Sequence, residues 1–206
     1  MNPEMKTPIP PGFWSRTFIV DVEDRPGTLN RVVSLFRRRS YNIDSLSVGR
    51  TERPGISRIT LVVRADEDVA QRIEANLYKL VNVLHVEDIT EAPSVVRELA
   101  FVKVNASHEE RGEVLRWCEL FRARVVDLHS ASMTIEITGP QDKVDRLIEV
   151  LRPFGIIELL RTGAVAMVRG FDPQTAREGS PLDPSDEVAV NPSSAPTAIS
   201  FQEIRR

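Results

Sequence analysis

With 206 residues, 41% of them apolar, and a net charge of −3, the chain has material for one ordinary domain or two small ones and no electrostatic footprint for nucleic acid. No stretch approaches the roughly 20 consecutive apolar residues of a membrane helix, and the opening MNPEMKTPIPPGF lacks the basic-then-apolar order of a secretory leader. No membrane and a cytoplasmic address are therefore expected, and the single cysteine, Cys118, fits a reducing compartment.

The Pro-rich stretches 1–14 and 171–206 read as flexible tails. Between them the apolar pattern switches repeatedly between period 2 and period 3.6. Phe18, Val20 and Val22 alternate with Thr17, Ile19 and Asp21, which predicts a strand. After Pro26-Gly27, the residues Leu29, Val32, Val33 and Phe36 predict a helix with one buried stripe. Strands follow at about 42–50 and 56–64, joined by the turn residues ERPG. Val69, Ile73, Leu77 and Leu80 mark a second helix, with Asp66 and Asp68 placed to cap it, and 83–89 closes the unit as a strand.

After EAPS at 91–94 the same order returns. A strand is predicted at 99–104, then a helix facing its core with Val114, Leu115, Cys118 and Phe121, where the thiol is a packing group. Strands at 124–129 and 133–138, a helix carrying Val144, Leu147, Ile148 and Leu151, and a strand or pair over 156–168 complete it. The organisation is α+β: two tandem ferredoxin-like βαββαβ units, over residues 15–92 and 93–170. Helices on one face of an antiparallel sheet leave the other face or an edge open, so a homodimer is expected.

Motifs that carry chemistry are missing. There is no G-x-G-x-x-G, Walker loop or G-x-S-x-G, and no Cys or His cluster with metal spacing, so neither a catalytic residue nor a metal site is expected. His85 and Glu87 share a strand face and read as solvated. Glu109 and Glu110 after Ser107 read as helix-start chemistry, and Arg37-Arg38-Arg39 as cations closing a helix.

The informative stretch is VEDRPGTLNRVVSLFRRRSYNIDSL, residues 22–46. A helix N-terminus presents open N–H groups, and Gly27 beside it admits a ligand close to the backbone, an arrangement suited to a carboxylate. Asp24 can receive an ammonium group. Asn42 opens the second strand and offers a donor and an acceptor to the same mouth or, across a dimer, to a neighbour's. Together these groups match a small amino acid. The competing interpretation is that Asp24 caps the helix, Pro26-Gly27 only turns the chain and Asn42 only starts a strand.

Asp24-x-Pro26-Gly27-x-Leu29 followed by Asn42-Ile43 resembles the signature of ACT domains, which bind amino acids in regulated metabolic enzymes. More closely, RPGTLNRVVSLFRRRSYNIDSLSVGRTERPGISRITLVV and LYKLVNVLHVEDIT, with RELAFVKVNA, EVLRWCELFRARVVDL, TGP and GIIELLRTGAVAMVRG in the second unit, resemble the regulatory (small) subunits of acetohydroxyacid synthase, also called acetolactate synthase. The resemblance covers about residues 15–170. It implies a chain without its own active site, bound to a catalytic subunit that carries thiamine diphosphate, Mg and FAD in branched-chain amino acid biosynthesis. It further implies stimulation of that subunit and feedback inhibition by valine, with leucine or isoleucine as further effectors. Asp24 and Gly27 of one chain and Asn42 of the other then hold the effector, with Arg25, Pro26, Thr28, Leu29 and Ile43 shaping turn and pocket. Some members carry Asn where this chain has Asp24, which bears on effector identity. Two rivals are an RNA-binding module, disfavoured because SRITLVVR lacks stacking aromatics, and an ACT protein that controls another enzyme or a transcription system.

Overall fold

The structure, a computed structural model, describes residues 14–170; the expected tails at 1–13 and 171–206 lie outside the described residues. In the first half, β1 (Trp14–Glu23), α1 (Thr28–Arg38), β2 (Ile43–Arg50), β3 (Ile56–Ala65), α2 (Glu67–Leu77) and β4 (Val83–Asp88) form an antiparallel sheet in the order β2-β3-β1-β4. In the second half, β5 (Ser94–Asn105), α3 (Arg111–Phe121), β6 (Arg124–Leu128), β7 (Ser132–Gly139), α4 (Gln141–Leu151) and β8 (Ile156–Arg161) repeat the plan in the order β6-β7-β5-β8. A last strand, β9 (Val165–Val168), pairs with the start of β5. These are two tandem ferredoxin-like βαββαβ units.

The alternation read from the sequence is the physical cause of each sheet. Phe18, Val20, Ile59, Leu61 and Val63 project from one face and pack under Val32, Phe36, Ile73 and Leu77 of the helices. In the second half Ala100, Val102, Val104, Ile135 and Ile137 meet Val114, Cys118, Val144, Leu147 and Leu151. Each fully buried side chain of this size contributes about 1.5–3 kcal/mol, so the two cores dominate stability. Cys118 is buried as packing, and burial pushes its thiol pKa up.

Local signals act as expected at several ends. Asp66 Oδ1 accepts the Val69 N–H at 2.7 Å and caps α2, whereas Asp68 lies within its first turn. Ser107 and Glu110 bond reciprocally, backbone to side chain, ahead of α3, and those bonds hold the Glu110 carboxyl below its usual range. His85 and Glu87 lie 3.7 Å apart, both partly exposed, as a solvated pair.

Several details depart from the sequence reading, among them the end of α2 at Leu77, which leaves Leu80 beyond the helix though still packed on the first core. The buried stripe of α1 is Thr28, Val32, Leu35 and Phe36, while Leu29 and Val33 remain about 40% and 39% exposed; the helix is rotated so that a threonine takes the place of a leucine. On α3, Leu115 is exposed. β5 starts five residues earlier than its alternation suggests, because β9 supplies partners from Ser94 to Arg97.

The outer face of the first sheet is not left entirely open. Ile19 is buried there against Ile89 and Ala166, with Ala92, Val96 and Val168 around them, so β9 and the start of β5 cover part of the face within one chain. Both halves fall in one compact unit. On the same face Asp21, 3% exposed, accepts from Arg58 Nε at 2.8 Å and Arg53 Nη2 at 2.9 Å. That hydrogen bonding raises the Arg58 pKa, and it is what makes a buried carboxylate tolerable.

Candidate functional site

The turn between β1 and α1 is tied down from several sides. Asp24 N–H donates to the Gly55 carbonyl at 2.8 Å, and Glu23 N–H to the Asn82 carbonyl at 2.9 Å. Asn82 Nδ2 returns a bond to the Glu23 carboxylate at 2.6 Å, and Arg31 of α1 donates to Asn82 Oδ1. Gly27 sits at the head of α1 with φ +86°, a left-handed conformation that L side chains rarely adopt. Glycine is required there by the backbone, since nothing stands within 4 Å of where a Cβ would be.

No side chain caps α1. The Thr28 N–H donates to the Arg25 carbonyl at 3.2 Å, and the Gly27 carbonyl accepts the Arg31 N–H, but the turn supplies no oxygen to the rest of the first turn. Asp24 as a helix cap is thereby excluded. Its carboxylate is instead partly exposed and lies 3.5 Å from Arg50 Nε at the end of β2. Thr28, the first residue of α1, is buried, and its hydroxyl has no hydrogen-bond partner. The mouth therefore presents open N–H groups and an accessible carboxylate, a pattern complementary to a zwitterion. Arg25 is exposed and pairs with Glu23 at 3.3 Å, Pro26 completes the turn, and Leu29 flanks the mouth with its side chain partly in solvent.

Asn42 is not brought to this mouth within one chain. β1 and β2 both run antiparallel to β3, hence parallel to each other, with Glu23 opposite Ile56 and Ile43 opposite Val63. The start of β2 is thus seven residues along the sheet from the turn, roughly 23 Å at about 3.3 Å per residue. The same-mouth arrangement is ruled out. Asn42 is exposed and donates to Asp44 at 3.1 Å, and Ile43 beside it packs on the first core. Arg50, the Asn82 tether and the orphan Thr28 hydroxyl escaped the sequence reading, since each depends on which loops meet at that end of the sheet.

Among the described residues no group of His, Cys, Asp or Glu is placed to hold a metal ion. No helix among them is long and apolar enough to cross a membrane.

Comparison with known proteins covers both halves. A family model described as the AHAS small subunit-like ACT domain matches residues 18–85, and one described as the small subunit of acetolactate synthase matches residues 97–170. The chain is 50% identical over 154 residues to a probable acetolactate synthase small subunit of Archaeoglobus fulgidus, spanning 75% of this chain and 96% of that one. It is 46% identical over 159 residues to the acetolactate synthase small subunit of Mycolicibacterium smegmatis, spanning 77% and 94%. The crystal structure of the Thermotoga maritima acetolactate synthase small subunit superposes with a TM-score of 0.72 at 36% identity, over 77% of this chain and 99% of that one. Matched in sequence along both halves and in fold across them, the chain belongs to the family of acetolactate synthase small subunits, and its first half is an ACT domain.

Proposed function

We propose that the chain is the regulatory partner of a thiamine-diphosphate-dependent acetolactate synthase catalytic subunit, that it stimulates that subunit, and that it confers feedback inhibition by valine. Thiamine diphosphate, Mg and FAD belong to the catalytic partner in this reading. The pathway served is branched-chain amino acid biosynthesis. The observation that carries the effector site is the uncapped first turn of α1 behind a left-handed Gly27, with the partly exposed Asp24 carboxylate beside it, paired to Arg50 at 3.5 Å.

The effector sits between two copies. β2 is an edge strand, and Asp24 lies against Arg50 at its far end. Antiparallel apposition of two β2 edges centred on Leu46 sets residue 42 of one copy opposite residue 50 of the other. Asn42 of the second copy then reaches the mouth that its own chain cannot supply. Exposed Leu29 and Val33 on α1 and Val48 on β2 give such a pair apolar surface to bury.

Selectivity among branched-chain effectors is limited, because one methylene in an apolar pocket is worth about 1–3 kcal/mol. Valine is the expected effector, with leucine and isoleucine weaker. The direct test is acetolactate formation by the purified catalytic subunit alone, with this chain, and with this chain plus valine. Stimulation that valine reverses supports the proposal, and no stimulation of an active partner refutes it. Gly27→Asp, which places a negative charge where the carboxylate should bind, is expected to abolish inhibition and leave stimulation intact; retained valine sensitivity would remove the site assignment.

A further inference from the structure

Inhibition exerted at the turn acts on an active site in another chain, so some element must carry a change out of the ACT domain. The start of β2 is where such an element is visible. Three residues beyond Asn42, Ser45 Oγ accepts the Ala164 N–H at 2.7 Å, and Ser47 Oγ donates to the Thr162 carbonyl at 3.1 Å. Both serines lie on the outer face of the first sheet, while residues 162–164 form the connection from β8 to β9 in the second half. Between the two bonds Gly163 has φ +78°, and a Cβ built on it would stand 2.5 Å from Ser45 Oγ. The loop is thus seated on β2 by two hydrogen bonds and by a left-handed residue whose added Cβ would displace the Ser45 hydroxyl.

Each end of this contact is rooted. Thr162 N–H donates to the Leu99 carbonyl at 3.0 Å, and Leu99 N–H to Thr162 Oγ1 at 3.2 Å. One residue earlier, Arg161 donates to both oxygens of the largely buried Glu98, at 2.7 and 2.6 Å, and to Asp145 of α4 at 2.7 Å, so a shift of the loop is passed to β5 and α4. On the ACT side Asn42 donates to Asp44, which accepts from Arg64 Nε at 2.8 Å, and the β2–β3 register slips between Ile43 and Ser45. A ligand that claims the Asn42 amide removes its bond to Asp44 at the bulge immediately before the serines. The loop also borders a cleft of about 670 Å³ lined by Asp44, Arg64, Glu98 and Arg161.

We propose that residues 162–164, latched on Ser45 and Ser47, are the element through which effector occupancy at Asn42 reaches the second half of the chain. The inference rests on the effector reading above, and the two fail differently. The test uses the full-length chain and its complex with the catalytic subunit, with two variants that release the latch from opposite sides, Ser45→Ala/Ser47→Ala and Gly163→Ala. Hydrogen exchange followed by mass spectrometry is expected to show residues 162–166 exchanging at least about threefold faster in both variants without ligand. Unchanged protection in both would overturn the latch. Calorimetry is expected to give valine affinities within about twofold of the unaltered chain, while the concentration for half-inhibition rises at least about fivefold or inhibition disappears. Loosened loops with wild-type binding and wild-type inhibition would overturn the coupling role alone. An unaltered chain that binds none of valine, leucine and isoleucine would overturn the effector reading, and the coupling role with it.

Discussion

Gly27 and Thr28 carry different costs at the head of α1. Open space surrounds the Gly27 Cβ direction, so Gly27→Ala is charged only for the left-handed backbone, about 1 kcal/mol in urea unfolding, and not for a clash. The buried Thr28 hydroxyl has no partner, and such a group costs roughly 1–3 kcal/mol. Thr28→Val keeps the shape and removes the oxygen. It is therefore expected to raise the urea midpoint of the free chain; a lowered midpoint would show that the hydroxyl is paired. Cys118 tests burial directly. Because burial disfavours its thiolate, it should react with thiol reagents only as the second half unfolds, so labelling at pH 8 should follow the urea transition and not precede it.

Arg161 clamps β8 to both β5 and α4, and Glu98 beneath it is 7% exposed. Its two carboxylate partners raise the Arg161 pKa, with Glu98 the larger influence, so the guanidinium stays charged throughout the working range. Arg161→Met leaves the Glu98 charge buried and unpaired and is expected to cost about 3 kcal/mol, measured by chemical denaturation, whereas the double change with Glu98→Leu should recover much of it. The elements themselves were largely legible in the sequence, because Phe18, Val20 and Val22 on β1, or Leu147 and Leu151 on α4, make the period visible. The facing of α1 was not. Counting apolar residues selects Leu29 and Val33, but the helix turns Thr28 and Leu35 inward instead, and a threonine does not register in such a count. Nor was the position of Asn42 legible, since the parallel course of β1 and β2 exists only once β3 has paired with both.

The two halves share a third apolar cluster in which Ala166 of β9 meets Ile19 and Ile89. Ala166→Asp places a charge in that contact without touching either core, and is expected to split a single cooperative unfolding transition into two when followed by calorimetry. The wide separation of Asn42 from its own turn has a genetic consequence. If each effector mouth takes its turn from one copy and its asparagine from the other, a dimer holds two mouths built from four contributions. A Gly27→Asp chain and an Asn42→Ala chain are each defective alone, yet their mixed dimer concentrates both lesions in one mouth and leaves the other wholly intact. Co-expression of the two chains under distinct affinity tags should therefore restore valine sensitivity to the purified mixed species, at up to half the binding stoichiometry of the unaltered protein.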